Sequence, residues 1–163
     1  MTDDVVAMLI HSAFMESGSA RPVFETGPRD FSPMLKKSPN VTVLIVDDEA
    51  LIRWSLAETL IERGYGVLEA GDGRGAVEAL SDAPAPVDVI MLDYRLPDSN
   101  GLQLLARIRS LSPASRVVLM TAYGTPEIFA EAMTLGEACV VNKPIEMHDV
   151  ADLVAAARRS APA

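Results

Sequence analysis

The sequence predicts an α/β protein built on a doubly wound five-stranded parallel sheet with helices on both faces. From Val41 onward, short continuous apolar runs alternate with segments of helical periodicity. Such runs are typical of strands that are buried on both faces. Parallel strands need a crossover of a dozen or more residues, usually a helix, and right-handed crossovers place helices on both faces of the sheet.

Each strand is predicted from a short apolar run and each helix from apolar residues at helical spacing. In the first helix this stripe is Ile52, Leu56 and Leu60, and it stops at Gly64. The second strand is shorter and less apolar, which favours a place near a sheet edge. Pro126 is tolerated in the first turn of the fourth helix. In chain order the predicted elements are strand 41–46, helix 52–60, strand 65–70, helix 74–80, strand 87–92, helix 102–108, strand 117–120, helix 126–135, strand 139–141 and helix 146–159.

Length and composition indicate one domain with an extension. The 163 residues are enough for a self-sufficient core, and 49% hydrophobic with 23% charged residues is ordinary for a globular protein. The net charge of −9 argues against direct DNA binding and against a membrane surface. The single cysteine, Cys139, is expected to be buried and fits a reducing compartment, so we expect a cytoplasmic location. Trp54 is expected to be a partly buried packing residue.

Residues 1–40 are predicted to be an N-terminal extension or linker. A short helix from about Thr2 fits its apolar positions, and residues 18–39 are rich in Gly, Pro and Ser. Three alternatives stay open for this segment: a docked or partner-binding helix, a segment without function, or a true translation start at Met34.

Polar side chains follow four of the five predicted strands. Asp47 and Asp48 follow the first strand, Asp93 the third, Thr121 the fourth and Lys143 the fifth. The carboxyl ends of parallel strands lie on one edge of a sheet, where α/β folds bind ligands. We therefore expect these five side chains to converge there.

This set of side chains suits phosphoryl chemistry. Converging carboxylates raise one another's pKa unless a cation joins them, and hard oxygen donors with room for water suit Mg²⁺ or Mn²⁺. An amine and a hydroxyl can hold further phosphoryl oxygens, and a carboxylate can attack phosphorus to give an aspartyl phosphate. The pattern predicts a metal site and a phosphoryl acceptor at Asp93.

Four ordered motifs carry these residues. They are Val46-Asp47-Asp48-Glu49, Met91-Leu92-Asp93 with Pro97 and Gly101, Met120-Thr121-Ala122-Tyr123-Gly124, and Asn142-Lys143-Pro144. At this spacing, over roughly residues 41–160, they resemble the receiver domain of bacterial two-component response regulators. The resemblance implies a flavodoxin-like fold of the stand-alone, chemotaxis-regulator type, with strand order 2-1-3-4-5.

The resemblance also implies roles for individual residues. Asp93 would be the phosphoacceptor and one metal ligand, and Asp47, Asp48 and the backbone carbonyl of Arg95 would be the other ligands of Mg²⁺ (or Mn²⁺). Thr121 and Lys143 would contact the phosphoryl group and couple its presence to a change of shape.

The sequence departs from the family pattern at Val140, where relatives usually carry Tyr or Phe. An aromatic switch is therefore not implied there, and we expect another movement of this face, with Tyr123 contributing. Arg95 and Tyr123 also flank the expected path of a hydrolysing water, so we expect them to slow loss of the phosphoryl group.

The expected partners are a histidine kinase or histidine phosphotransfer protein and a downstream protein target, with a homodimer on phosphorylation as a further option. With the sequence ending at Ala163, we expect a receiver alone, either a stand-alone regulator or a fragment of a longer one. We expect no enzymatic activity beyond self-phosphorylation from small phosphodonors and autodephosphorylation. Two alternatives stay open: a Mg²⁺-dependent phosphohydrolase with an aspartyl-phosphate intermediate, and a receiver-like fold that works without phosphorylation.

Overall fold

The computed structural model of the protein describes residues 41–135 and 138–159, so the predicted extension over residues 1–40 lies outside the described part. The elements are β1 (Thr42–Val46), α1 (Ala50–Glu62), β2 (Gly66–Ala70), α2 (Gly73–Asp82), β3 (Val89–Asp93), α3 (Gly101–Leu111), β4 (Arg116–Thr121), α4 (Pro126–Thr134), β5 (Ala138–Asn142) and α5 (Val150–Arg159). All strand pairs are parallel, in the order β2-β1-β3-β4-β5. The predicted fold class and strand order are confirmed, and β2 lies at an edge as predicted.

The strands are apolar throughout because both faces of the sheet are covered. All five residues of β3 are buried, and the first four alternate between two cores. Ile90 and Leu92 face the core closed by α2, α3 and α4, whereas Val89 and Met91 face the core closed by α1 and α5. This alternation is the two-residue period of a strand, and it produces a continuous apolar run instead of a polar and apolar alternation.

The register of the sheet aligns the strand ends that carry polar side chains. Val46 of β1 pairs with Leu92 of β3, Asp93 pairs with Met120 of β4, and Thr121 pairs with Asn142 of β5. The residues that follow β1, β3 and β5 are therefore neighbours at one edge of the sheet.

The last helix begins four residues later than predicted. The Asp149 N–H donates to the Glu146 carbonyl at 2.9 Å, which closes a turn, and the first bond of α5 runs from the Leu153 N–H to the Asp149 carbonyl, also at 2.9 Å. Asp149 thus stands at the N-cap, where aspartate is favoured. Apolar spacing alone did not reveal this turn.

Two predictions of burial are wrong. Trp54 is 57% exposed, because α1 buries Leu56, Ala57 and Leu60, and a residue two places before Leu56 points about 200° away around the helix. Cys139 is exposed because β5 is an edge strand with a neighbour on one side only. Among the described residues, no helix has the length and apolar character needed to cross a membrane.

Candidate phosphoryl-acceptor site

Three carboxylates meet at the carboxyl edge of the sheet. Asp93 ends β3 and is 6% exposed, Asp47 follows β1 and is fully buried, and Asp48 beside it is exposed. One oxygen from each of these carboxylates lies within 4.8 Å of the others. They are therefore close enough to share one cation.

The Lys143 ammonium bridges the two buried acids. Its Nζ lies 2.8 Å from Asp47 Oδ2 and 3.1 Å from Asp93 Oδ2, and the exposed carboxylate of Glu49 is 3.8 Å away. The Lys143 N–H also donates to the Thr121 carbonyl at 2.7 Å, which extends the pairing of β5 with β4 by one residue. Glu49 had no assigned role in the sequence analysis, although it is the third acid of the first motif.

Backbone N–H groups fix the second oxygen of each buried acid. The Arg95 N–H donates to Asp93 Oδ1 at 3.2 Å, and the Glu49 N–H donates to Asp47 Oδ1 at 2.9 Å. Both are local bonds to a residue two places along the chain, which is a common arrangement for aspartate in turns. Each carboxylate is therefore held from one side by its own loop and from the other by Lys143.

Burial and neighbouring charges act in opposite directions on these groups. Burial raises the pKa of Asp93 above its ordinary value, although the Lys143 ammonium and the Arg95 N–H act to lower it. Burial lowers the pKa of Lys143, but the hydrogen bond and charges of Asp47 and Asp93 outweigh burial, and the net shift is upward. Lys143 is therefore an ammonium at neutral pH, and the Asp93 carboxylate is destabilised by its surroundings.

We expect Asp93→Asn to stabilise the metal-free protein near neutral pH, by about 1 kcal/mol or roughly 4 °C in Tm. A raised folded-state pKa means that the folded protein binds more protons than the unfolded chain between the ordinary aspartate pKa and the folded one. Stability of the wild type therefore falls as pH rises through this window, and the variant lacks that loss. Thermal melts across pH should show a higher Tm for the variant than for the wild type, with the difference appearing only above about pH 4. An equal difference in Tm at acid and neutral pH would contradict the account.

Arg53 supports the loop that carries Asp47. Its Nη1 donates to the Asp47 carbonyl at 2.6 Å, and its Nε pairs with Glu69 Oε2 of β2 at 3.2 Å. The sequence offered no signal for this contact, because it depends on a long side chain of α1 that reaches back over the strand ends.

Thr121 lies at the same edge but is held by its own loop. It is buried, and its hydroxyl accepts a hydrogen bond from the Tyr123 N–H at 3.2 Å. Val140, where the sequence departs from the family pattern, is partly buried and packs against the core closed by α2, α3 and α4.

Asp93 and Asp48 line a cleft of about 290 Å³, whereas Asp47 is buried beneath it. The wall of the cleft also contains the small side chain of Ala122, together with Lys143 and Arg95. The Arg95 guanidinium lies 5.8 Å from the centre of the Tyr123 ring, within the range of a cation–π contact. The residues lining the cleft are Asp48, Glu49, Asp93, Tyr94, Arg95, Ala122 and Lys143.

The donor set fits a hard divalent cation. Carboxylate oxygens beside an open, partly solvated cleft suit Mg²⁺, which keeps several waters and binds through one or two carboxylates. Softer metals favour nitrogen or sulfur ligands, and the group formed by Asp47, Asp48 and Asp93 contains only oxygen donors. This acidic pocket is compatible with Mg²⁺ binding.

Residues 43–155 match the family model of the response regulator receiver domain. The chain belongs to this family. Receiver domains of response regulators take part in two-component signalling, in which they interact with histidine kinases or phosphotransfer proteins, and they are generally non-enzymatic modules. The expected family membership is thus confirmed.

Curated relatives of this receiver domain differ in length. Sporulation initiation phosphotransferase F of Bacillus subtilis (strain 168) is 31% identical over 115 residues, which cover 71% of this chain and 91% of that protein. The transcriptional regulatory protein PdtaR of Mycobacterium tuberculosis is 38% identical over 109 residues, or 66% of this chain and 52% of that protein. The probable transcriptional regulatory protein TcrX of the same species is 37% identical over 110 residues, or 68% and 46%. The chain spans about half the length of the latter two.

Solved structures agree with this receiver fold. Chemotaxis response regulator CheY4 of Vibrio cholerae has a TM-score of 0.66 and 28% identity, covering 72% of this chain and 98% of that one. A response regulator from Thermotoga maritima has a TM-score of 0.65 at 22% identity, covering 74% and 98%, and shows similarity of fold alone.

Proposed function

We propose that this receiver domain, over residues 41–160, is a phosphorylation-dependent switch that accepts a phosphoryl group on Asp93 with Mg²⁺. The observation that carries the proposal is the position of the Asp93 carboxylate. It lies at the end of a buried strand, contacts an ammonium at 3.1 Å, and lines a cleft. Two further carboxylates, those of Asp47 and Asp48, each place an oxygen within 4.8 Å of it.

The proposed phosphodonor is a phosphohistidine of a histidine kinase or histidine phosphotransfer protein. An oxygen of Asp93 attacks phosphorus, the phosphorus–nitrogen bond breaks, and its electron pair stays on the imidazole nitrogen, which takes up a proton. A Mg²⁺ ion held by Asp47, Asp48, Asp93 and the backbone carbonyl of Arg95 would supply positive charge to the phosphoryl oxygens. The small side chain of Ala122 in the wall of this cleft would leave the phosphoryl position accessible to the donor.

Lys143 and Thr121 are proposed to hold the phosphoryl group after transfer. Phosphorylation of Asp93 removes the negative charge of its carboxylate and places charged phosphoryl oxygens nearby. The Lys143 ammonium would therefore bind a phosphoryl oxygen more strongly than Asp93 Oδ2. The Thr121 hydroxyl would donate to a phosphoryl oxygen, and turning toward that oxygen would draw it away from the Tyr123 N–H, from which it accepts a hydrogen bond. This movement would loosen the loop after β4, and we propose that the signal leaves through this loop, since Val140 offers no aromatic ring.

The test is intact-mass analysis after incubation with Mg²⁺ and acetyl phosphate, in which Asp93 attacks phosphorus and acetate leaves. We expect one phosphoryl adduct on the wild type and none on Asp93→Asn. Asp82→Asn, which removes an exposed acid at the end of α2, is the matched control and should keep the adduct. An unchanged mass in all three proteins would favour a receiver fold that works without phosphorylation. Multiple turnover of a phosphate ester would favour a phosphohydrolase.

The remaining partners follow as parts of this proposal. A downstream protein would recognise the changed loop after β4. Alternatively, a second copy of the chain would bind there, which would give a homodimer on phosphorylation. The acidic net charge of −9 supports signalling through protein contacts without direct DNA binding. The cytoplasmic location stays a prediction.

A further inference from the structure

The loop between β3 and α3, residues 94–100, is fastened at its base. The Tyr94 N–H donates to the Met120 carbonyl at 2.8 Å, and the Gly101 N–H donates to the Tyr94 carbonyl at 2.7 Å. Arg95 and Asn100 form an isolated antiparallel bridge. The two ends of this loop, which we call the acceptor loop, are therefore held together directly beside Asp93.

The tip of the acceptor loop is fastened to another element. Asp98 Oδ1 accepts from the Gly73 N–H at 2.8 Å, and Asp98 Oδ2 accepts from the Arg74 N–H at 2.9 Å. Both donors belong to the first turn of α2, about 25 residues earlier in the chain. These two backbone bonds lower the pKa of Asp98 below its ordinary value, with the Gly73 N–H as the largest cause.

Helix α2 does not depend on Asp98 for its own N-cap. The Asp72 side chain accepts from the Gly75 N–H at 2.7 Å and supplies the usual local cap. The loop tip also packs closely on the helix start, since a Cβ at Gly73 would lie 2.6 Å from Ser99 Oγ. The two bonds that Asp98 accepts therefore serve to hold the loop on the helix.

The tip and the acceptor residue are joined by a short, bonded path. The Leu96 N–H donates to the Ser99 carbonyl at 3.2 Å, which closes the tip into a turn. Arg95 stands between this turn and Asp93, and its N–H holds Asp93 Oδ1 at 3.2 Å. A displaced tip would therefore move the group that orients the phosphoacceptor.

We propose that Asp98 is a positioning residue, which anchors the acceptor loop to α2 and thereby holds Arg95 and the Asp93 carboxylate in place for phosphoryl transfer. The catalytic part of this inference rests on the proposed function. The anchoring part concerns the chain's own hydrogen bonds and stands without it.

The test compares Asp98→Ala with Asp72→Ala. Both variants remove an aspartate that accepts hydrogen bonds from backbone N–H groups in the first turn of α2, so a purely structural role predicts similar small losses in Tm and no difference at the acceptor loop. Our account predicts that only Asp98→Ala raises amide hydrogen exchange at Arg95 and Leu96, by roughly tenfold, in metal-free protein. It also predicts that only Asp98→Ala slows adduct formation with Mg²⁺ and acetyl phosphate, several-fold.

Gly73→Ala provides a second variant that leaves Asp98 intact. Its methyl group would lie 2.6 Å from Ser99 Oγ and 3.1 Å from Asp98 Oδ1, so it would crowd both side chains at the anchoring contact, and we expect increased exchange at the same two amides. Equal exchange at Arg95 and Leu96 in Asp98→Ala and Asp72→Ala would overturn the anchoring. Raised exchange with an unchanged rate of phosphorylation would overturn the positioning role. If the wild type forms no adduct, the proposed function fails, and the exchange comparison still decides whether Asp98 anchors the loop.

Discussion

Lys143→Met is expected to lower the free energy of unfolding by about 3 kcal/mol near neutral pH in metal-free buffer. The Lys143 ammonium lies between Asp47, which is fully buried, and Asp93, which is nearly so. Its removal leaves two carboxylates in a desolvated place without a compensating charge. Urea unfolding of the wild type and the variant measures the loss.

The pH dependence of this loss distinguishes charge from packing. Without Lys143, the folded-state pKa of Asp93, already raised by burial, is expected to rise further. Such a group destabilises the fold above its folded pKa, and the penalty fades as pH falls toward the ordinary aspartate value. The difference in the free energy of unfolding between Lys143→Met and the wild type should therefore become smaller on acidification and on addition of Mg²⁺. Lys143→Arg keeps a positive charge and should lose less stability. A loss independent of pH and of Mg²⁺ would mean that Lys143 acts through packing.

The double variant Arg95→Asn, Tyr123→Glu is expected to shorten the half-life of the phosphorylated protein by about tenfold, which corresponds to about 1.4 kcal/mol in the hydrolysis barrier. The Arg95 guanidinium and the Tyr123 ring lie together at 5.8 Å, with Arg95 in the wall of the cleft that leads to Asp93. Removing both side chains clears the approach of water to phosphorus. The decay of the phosphoryl adduct, followed by intact mass after removal of acetyl phosphate, measures the effect.

Tyr123→Phe is the matched control for this pair. It keeps the ring against Arg95, and the Tyr123 N–H that donates to the Thr121 hydroxyl belongs to the backbone and is present in both Tyr123→Phe and Tyr123→Glu. The control should retain the lifetime of the wild type. A double variant with an equal or longer half-life would show that the pair does not shield the phosphoryl group.

Much of the fold follows from the sequence because burial leaves a strong pattern. A strand covered on both faces, such as β3, must be apolar at every position, and the helices between the strands require parallel order. The start of α5 was missed because a hydrogen-bonded turn closed at Asp149 interrupts an otherwise continuous apolar spacing. The exposure of Trp54 was not predicted, because residue type alone does not distinguish an exposed apolar side chain of α1 from a buried one.

The strand ends identified the acids, the threonine and the lysine as neighbours, but they could not supply the contacts among them. The bonds of Arg53 to the Asp47 carbonyl and of Asp98 to the start of α2 join elements that are distant in the sequence. Such contacts depend on side-chain reach across packed elements, for which local spacing carries no information. The bond of Asp72 to the Gly75 N–H is different, because a cap on its own helix is a local feature.

The most direct test of the account is to locate the phosphoryl group by chemistry. Borohydride reduces an acyl phosphate to an alcohol, so treatment of the phosphorylated protein converts the acceptor aspartate into homoserine, which peptide sequencing by mass spectrometry can place. The account predicts homoserine at position 93, dependent on Mg²⁺ and acetyl phosphate, with Asp47 and Asp48 unmodified. Homoserine at one of the other acids, or none in a protein that carries the phosphoryl adduct, would contradict it.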